Sequence, residues 1–506
     1  MTTTAPSYDA LRGLLGELAT LGSVSSLVSW DQETKMPHSA GAARAEQLAL
    51  LAGLVHERAT SAELGERLAA CEEDAELTAD ASITANLREL RRDFDRKTKL
   101  PTDLVQELAR LQSQSQEVWK GARANNDFSA FRPYLERLLE LKRREAECHG
   151  TPASGELYDN LLDEYEAGAT AAEIQATFDP LKERLSALIA EVAERGTPPD
   201  TSPLSVHVAE SGQHAFGLFV LRAVGFDLDA GRLDTTTHPF CSGLASGDTR
   251  LTTRYDEDYF PDALYGTMHE GGHGLYEQGL PKAGFHGLPQ SEATSLGIHE
   301  SQSRLWENCV GRSREFWEWA LPHAKSHFGG ALDTYGADDL YRAVNTATPS
   351  FIRVEADEAT YNLHIMLRFD LERALLRGDL EVADLPEAWN TRFQELLGLE
   401  VPNDAQGCLQ DVHWAFGLFG YFPTYCLGNL YAAQLWEAAQ RALPSLATDI
   451  ASGVFAPLRG WLADNVHVHG RRYRAAELCE RATGQALSAD PLMRQLDAKL
   501  RPIYGL

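Results

Sequence analysis

The chain has 506 residues, 43% of them hydrophobic and 24% charged, which is ordinary for a folded soluble protein and leaves room for a large core. Its 74 acidic and 46 basic residues give a formal charge of −28, which argues against nucleic acid or an acidic membrane surface as a partner. Seven scattered cysteines without a CxxC pair, no secretory leader pattern and no apolar run near the roughly 20 residues of a membrane span predict a cytoplasmic protein.

Helical spacing of apolar residues dominates the first two hundred residues. The segment PTDLVQELARLQSQSQEVWKGA from Pro101 predicts a long helix, and Asp127 is a candidate N-cap for the next one. Thr170 and Glu173 match a capping box, in which each side chain satisfies a free backbone N–H of the first turn. The helix that follows carries apolar residues at steps of four and three: Ile174, Phe178, Leu181, Leu185, Leu188 and Val192.

A break in the helical pattern lies at 195–204, RGTPPDTSPL, where three prolines and a glycine end any helix. It predicts a linker or a long loop. The stretch 248–257, DTRLTTRYDE, has the threonine and tyrosine content of a short strand. From Pro261 onwards helical spacing returns, so we expect a predominantly α architecture with a small β-sheet near residue 250.

The motif HEGGH has the spacing of a metal-binding helix. His269 and His273 stand four residues apart, which on a helix brings their Cβ atoms within about 5–6 Å on one face. Glu270 is placed to act as a general base on a metal-activated water. Gly271 and Gly272 each cost about 1 kcal/mol in a helix, so they need a reason; close approach to a neighbouring element or to a substrate is one, and core packing is the alternative.

The third ligand of a catalytic metal must come from elsewhere, because catalytic zinc uses three protein ligands and an open position. Tyr276 and Gly279 occupy the positions where the longer pattern HExxHxxGxxH requires glycine and histidine. The stretch 291–308, SEATSLGIHESQSRLWEN, predicts a further helix. On spacing alone any of four of its residues can ligate: Glu292, His299, Glu300 and Glu307.

Eight ordered strings resemble the M32 metallocarboxypeptidases, the thermostable carboxypeptidase Taq family, over nearly the whole chain. The strings are WDQETKMP at Trp30, HPF at His238, DTRLT at Asp248, HEGGH at His269, HESQS at His299, IRVEAD at Ile352, GCLQDVHW at Gly407 and GYFPTY at Gly420.

The resemblance implies a single peptidase domain over 1–506, with 1–195 as an N-terminal helical wall and 205–506 as the metal-binding catalytic part. It implies a helical zincin fold with a long substrate groove, similar to angiotensin-converting enzyme and neurolysin. The implied activity is removal of single amino acids from the free C-terminus of peptides, with broad specificity and poor action on proline. A Zn²⁺ ion (Co²⁺ possible), one per subunit, and a homodimer are implied as well.

The resemblance also assigns roles to particular residues. It implies Glu300 as the third metal ligand and Glu270 as the general base. It implies that His413 and a tyrosine of the GYFPTY string stabilise the oxyanion, for which we favour Tyr421 over Tyr425. The alternative for both tyrosines is plain aromatic packing.

Recognition of a terminal carboxylate needs a cation, and a guanidinium binds carboxylates bidentately. Arg353 and Arg250 are the candidates, with His238 nearby by resemblance and Tyr425 as a further substrate contact. The alternative for each arginine is a structural ion pair with a neighbouring acid. Two other functions stay open: a helical zinc oligopeptidase or endopeptidase, and a metal-stabilised binding protein without turnover.

Overall fold

A computed structural model of the chain describes residues 6–506, including all side chains except those of His38, Ala42, Ala45, Thr102 and Ser113. The chain is 68% helical with one small sheet, so the predicted predominantly α class is confirmed. Within the described residues, none of the helices combines the length and the apolar character that crossing a bilayer demands.

The helices before the sheet are α1 (Pro6–Thr34), α2 (Gly41–Ala59), α3 (Ala62–Glu72), α4 (Ala75–Thr78), α5 (Ala81–Lys99), α6 (Thr102–Asn125), α7 (Phe128–Cys148), α8 (Tyr158–Leu162), α9 (Ala171–Arg195) and α10 (Glu210–Val224). Those after it are α11 (Pro261–Gly279), α12 (Leu296–Arg304), α13 (Arg314–His327), α14 (Ala337–Ala343), α15 (Tyr361–Arg377), α16 (Leu385–Leu397), α17 (Pro423–Ala442), α18 (Leu446–Ala451), α19 (Ala456–Asn465), α20 (Ala475–Thr483) and α21 (Asp490–Tyr504).

The chain forms two compact units, each assembled from three separate stretches. The first unit comprises the chain up to Thr98 with Asp200–Val344 and Leu435–Ala486. The second comprises Lys99–Pro199, Asn345–Gln434 and Leu487–Leu506. Because the units alternate along the chain, neither coincides with the ranges 1–195 and 205–506.

Local signals set the helices of the second unit. The capping box at the start of α9 is complete, since Thr170 and Glu173 each bond the other's backbone N–H. Asp127 caps α7 by accepting from the N–H of Ala130. The predicted apolar stripe of α9 is buried at every position, and burying one such side chain contributes about 1.5–3 kcal/mol. The prolines after Arg195 end α9 in a loop, as expected.

The sheet of the first unit has three strands, of which the sequence predicted one. The strands are β1 (Gly231–Thr235), β2 (Cys241–Ala245) and β3 (Asp248–Thr253). The central strand β3 pairs in parallel with β1 and antiparallel with β2. Two strands escaped prediction because each is five residues long and contains a glycine, which lowers strand propensity.

Helix α11 begins at Pro261, where the helical spacing of the sequence returns, and its last residue is Gly279. The predicted helix over 291–308 is wrong at its start, because α12 begins only after Ser295, whose hydroxyl caps it by accepting from the N–H of Ile298. Directly after α12 the chain continues as a π-helical turn, Leu305–Gly311. Such wide turns are rare and are frequent at functional sites.

Glycines of the HEGGH motif allow α11 to lie against its neighbours. A Cβ on Gly272 would stand 2.5 Å from the carbonyl oxygen of Gln302 and 2.7 Å from the Cα of Ser303, both backbone atoms of α12. A Cβ on Gly271 would stand 2.8 Å from a methyl group of Leu221 in α10. The glycines are therefore spacers for helix packing, and Gly272 sets the distance between α11 and α12.

We expect Gly272→Ala to destabilise the metal-free protein by about 1–3 kcal/mol, because the added methyl meets backbone that cannot move aside. The matched control is Gly266→Ala on the same helix, where the nearest atom, Thr253 Oγ1, is 3.5 Å away. That control should be neutral or stabilise by up to about 1 kcal/mol, the gain in helix propensity. Denaturant unfolding followed by far-UV circular dichroism measures both, and equal effects would contradict the packing argument.

Candidate active site

Three side chains of the first unit converge as a candidate metal site. The imidazole nitrogens of His269 and His273 and a carboxylate oxygen of Glu300 all lie within 4.8 Å of one another. Glu300 Oε2 is 3.6 Å from His269 Nε2 and 3.5 Å from His273 Nε2. A tetrahedral zinc ion with bonds near 2.0–2.1 Å requires ligand separations of about 3.3–3.4 Å, so these residues fit such an ion.

The packing of α11 against α12 produces this convergence. His269 and His273 lie one turn apart on α11, with ring centroids 4.9 Å apart. Glu300 projects from α12, the helix that Gly272 allows to approach. Among the four residues that the spacing left open, Glu300 is the one that joins the two histidines in this cluster.

Glu300 is held as a buried anion. Its Oε1 accepts from Arg304 Nε at 2.7 Å, and its Oε2 accepts from the hydroxyl of Ser303 at 3.1 Å. Burial by itself raises the pKa of Glu300, but the charges of Arg304 and His269 outweigh it and hold that pKa well below its usual range. The negative charge of Glu300 therefore favours binding of a cation between Glu300 and the two histidines.

Glu307 supports His269 from behind. Its Oε2 lies 2.9 Å from His269 Nδ1, and because an ionised carboxylate only accepts, Nδ1 is the donor of this bond. In the neutral imidazole, the form that binds metals, Nε2 then keeps its lone pair. Burial raises the pKa of Glu307, yet Arg304 and Arg312, each 3.2 Å away, with His269 lower it to about 2. The sequence named Glu307 only as a possible ligand, because spacing did not reveal the π-helical turn that carries it.

Glu270 differs from the other acids of the cluster. It is 5% exposed and makes no salt bridge within residues 6–506, whereas Glu300 and Glu307 are paired with arginines. Burial raises the pKa of Glu270 to about 7. A carboxyl group poised near neutrality can both take up and return a proton.

His299 contacts the candidate metal ligand His273. Its Nδ1 lies 2.5 Å from Nδ1 of His273, and the two ring centroids are 4.4 Å apart. Burial and the neighbouring His299 lower the pKa of His273 to about 3, which keeps that imidazole neutral and able to ligate. Glu292, the remaining candidate, lies outside α12 and pairs with Arg471.

Arg353 lies in the second unit and is engaged by other side chains. It is 5% exposed. Its Nε and Nη2 donate to one oxygen of Asp411 at 3.0 and 2.7 Å, and its Nη1 donates to the hydroxyl of Tyr361 at 2.9 Å. Its guanidinium also lies 5.1 Å from the ring centroid of Tyr425. The ion-pair partner is thus Asp411, which the sequence did not suggest.

Asp411 holds two buried guanidinium groups at once. Its second oxygen accepts from Arg368 Nε at 2.6 Å, and Arg368 is fully buried in α15. Burial raises the pKa of Asp411, but the charges of Arg353 and Arg368 lower it far below its usual range. Its position in the GCLQDVHW string, two residues before His413, is the signal that the sequence offered.

The structure brings His413, Tyr421 and Tyr425 together in the second unit, as the resemblance implies. Nε2 of His413 lies 3.2 Å from the hydroxyl of Tyr425, and its ring centroid lies 5.4 Å from that of Tyr421. Burial and the charge of Arg353 lower the pKa of His413 to about 3. The predicted aromatic packing and the predicted chemistry therefore involve the same residues.

Buried Glu372 of α15 ties down the loop that carries His413. It accepts from Trp414 Nε1 at 2.8 Å and from the N–H of Gly420 at 3.0 Å, on either side of a tight turn. Gly420 has φ +86°, and a Cβ there would stand 2.7 Å from the backbone nitrogen of Leu162. Sequence patterns did not indicate Glu372, because its partners come from a distant part of the chain.

Arg250 lies on β3 in the first unit, on the sheet face opposite α11. It makes a bidentate pair with Asp248 at 2.8 and 2.9 Å, and its guanidinium lies 4.3 Å from the ring centroid of Trp30 in α1. The next residue, Leu251, faces α11, in keeping with the alternation of side chains along a strand. His238 lies exposed between β1 and β2.

Comparison with known proteins gives one consistent result. The sequence profile of the carboxypeptidase Taq (M32) metallopeptidase family matches residues 10–500. Thermostable carboxypeptidase 1 of Thermus thermophilus is 45% identical over 99% of both chains, and carboxypeptidase 1 of Bacillus subtilis is 37% identical over 97% of this chain and 98% of the relative.

The structural comparison agrees with the sequence comparison. The crystal structure of the M32 carboxypeptidase from Deinococcus radiodurans R1 superposes with a TM-score of 0.96 at 42% identity, covering 99% of this chain and 100% of the other. The predicted helical zincin fold, similar to angiotensin-converting enzyme and neurolysin, is confirmed. The long substrate groove stays a prediction.

We expect Asp411→Ala to destabilise the protein by about 3–5 kcal/mol, because it leaves two buried guanidinium groups without a counter-charge. Asp379→Ala is the control in the same unit. Asp379 pairs with Arg377 at 2.8 Å, but their side chains are 62% and 46% exposed, so its loss should cost at most about 1 kcal/mol. The measurement is denaturant unfolding of both variants, and a small effect of Asp411→Ala would refute the buried ion-pair argument.

Proposed function

This chain belongs to the carboxypeptidase Taq (M32) family of metallopeptidases, and on that premise we propose that it removes amino acids one at a time from peptide C-termini. It is a metallocarboxypeptidase that acts on peptides and takes a divalent metal ion. We propose zinc, with cobalt as a substitute, one ion per subunit, broad side-chain specificity and poor cleavage at proline. The observation that carries the proposal is the convergence of His269, His273 and Glu300 beside Glu270.

His269, His273 and Glu300 would hold the ion. When bound, a divalent ion supplies Lewis-acid polarisation of the scissile carbonyl and makes water a better nucleophile at neutral pH. Glu270 takes the proton of the attacking water and returns it to the leaving amine. This role is supported by its burial and by the lack of a salt bridge within the described residues, which leave its carboxylate free to exchange a proton.

His413 and Tyr421 are proposed to stabilise the negative charge that develops on the carbonyl oxygen. Preorganised donors aimed at such an oxygen are usually the largest single contribution to catalysis. Tyr425 already contacts Nε2 of His413, so we assign it to orienting that ring and contacting substrate, and keep Tyr421 as the donor. The loop restraint by Glu372 supports the preorganisation that this role needs.

We propose that Arg353 binds the terminal carboxylate of the substrate. A guanidinium has five N–H donors, and three hydrogen bonds to Asp411 and Tyr361 leave donors for a ligand. Arg353 also lies with His413 and Tyr425, whereas Arg250 faces away from the metal helix. Arg250 and exposed His238 remain proposed as outer substrate contacts. Homodimerisation and a cytoplasmic location are proposed on the family resemblance and on composition.

We expect Glu270→Gln to lower peptide hydrolysis by at least about 10²–10⁴-fold, the usual contribution of a general acid–base group, while one metal ion per chain is retained. Activity on a short peptide and metal content by mass spectrometry of the same sample check this. Glu318→Gln, on the exposed face of α13, should change neither quantity. Loss of metal from Glu270→Gln would mean that Glu270 is structural and would refute its assigned role.

A peptide with a free C-terminus should give a ladder of single-residue losses in mass spectrometry, and its C-terminally amidated twin should stay intact. A chelator should stop the ladder, and a proline near the C-terminus should stall it. The amidated peptide lacks the terminal carboxylate that the enzyme must bind, and the chelator removes the metal that hydrolysis requires. Internal cleavage of both peptides would show that the protein is an endopeptidase. If metal-loaded protein cleaved neither peptide, the proposed catalytic activity would be refuted.

A further inference from the structure

A chain of three polar contacts runs from the metal ligand His273 to a lysine. His273 Nδ1 lies 2.5 Å from His299 Nδ1, and His299 Nε2 lies 2.9 Å from Glu277 Oε1. The other oxygen of Glu277 accepts from Lys282 Nζ at 2.5 Å. Glu277 lies on α11 one turn beyond His273, so both residues that His299 contacts come from the same helix.

Donor and acceptor chemistry fixes the direction of these bonds. Glu277, paired with a lysine, is a carboxylate and only accepts, so His299 Nε2 carries a proton. With Nε2 donating to Glu277, the other ring nitrogen of His299, Nδ1, is placed to accept from Nδ1–H of His273. His273 is thereby held in the tautomer that keeps the lone pair on Nε2, the nitrogen that lies 3.5 Å from Glu300 Oε2.

We propose that His299 and Glu277 are positioning residues for the metal ligand His273, and that they tighten metal binding by fixing its tautomer and ring orientation. The proposal rests on the metal site of the proposed function and deepens it. The two histidine ligands are supported differently: His269 by the Glu307 carboxylate directly, and His273 by a carboxylate relayed through an imidazole. Such outer partners typically change metal affinity by about 10- to 100-fold.

The Glu277–Lys282 pair, at the outer end of this series of contacts, is closely packed against the sheet. Gly243 of β2 lies over it, and a Cβ there would overlap Glu277 Oε2 and stand 2.7 Å from Lys282 Nζ. The side chains of Glu277 and Lys282 are 15% and 14% exposed and line a cavity of about 450 Å³. Because both atoms end flexible side chains, a methyl at Gly243 displaces the ion pair without disturbing backbone.

A purely structural role for His299 is the competing explanation, since its ring also packs 5.5 Å from that of Tyr276. Phenylalanine preserves a packed ring and removes both hydrogen bonds, so His299→Phe separates the two explanations. Glu277→Gln keeps the shape of the side chain and removes its charge. Gly243→Ala displaces the Glu277 carboxylate by a change on β2, outside the two helices that carry His273 and His299.

The test is the zinc dissociation constant of each metal-free variant, measured by competition with a chelating indicator, together with the visible absorption spectrum of the Co²⁺ form. We expect His299→Phe to weaken zinc binding by about 10- to 100-fold and Glu277→Gln and Gly243→Ala by about 10-fold, with altered Co²⁺ bands. Gln278→Ala is the matched control: Gln278 is the residue after Glu277 on α11, and within residues 6–506 its side chain hydrogen-bonds the backbone of Asp227. It should lower the melting temperature and leave the zinc constant unchanged.

Two outcomes would overturn the proposal. Wild-type zinc affinity in both His299→Phe and Glu277→Gln would make the chain of contacts irrelevant to the metal. An equal loss of affinity in Gln278→Ala would show general loosening of α11 instead. Both outcomes differ from failure of the proposed function, in which the zinc constants shift as expected but no peptide is cleaved.

Discussion

The close packing of α11 against α12 is the constraint on which the candidate metal centre depends. Three ligand atoms meet only because a helix carrying two histidines lies within van der Waals distance of the backbone that carries Glu300. Gly272 makes that distance possible at a cost of about 1 kcal/mol in helix propensity. A larger residue would separate the helices and move Glu300 away from the histidines, so the loss of local helix stability is tied directly to the chemistry.

Buried charge in the first unit is compensated at every acid of the centre except one. Glu300 and Glu307 share Arg304, and Glu277 is paired with Lys282, so each of these carboxylates stays ionised. Glu270 is buried beside the ligands without such a pair among the described residues, and burial raises its pKa to about 7. The same low-exposure environment thus yields fixed anions around a candidate cation site and one carboxyl group whose pKa lies near neutrality.

In the second unit, buried carboxylates also bond several groups at once, but here they restrain side chains and a loop. Asp411 joins two buried arginines, and Glu372 joins two points of the loop that carries His413. Both acids are far in sequence from most of the groups they hold. Their effect is to fix the position of an aromatic and imidazole cluster, which suits a site that binds substrate rather than a metal.

The sequence by itself determined the helical class and indicated the two histidines and Glu270 as a candidate metal motif, because periodicity and HExxH spacing are local. It left the third ligand open, since four residues of the stretch 291–308 could ligate on spacing alone. The resemblance favoured Glu300, and the tertiary structure brings Glu300 to the two histidines. The sequence also did not predict the short strands β1 and β2 or the late start of α12. Tertiary structure alone decided the partners of buried charges, such as Asp411 for Arg353, because those pairs join residues that no local pattern connects.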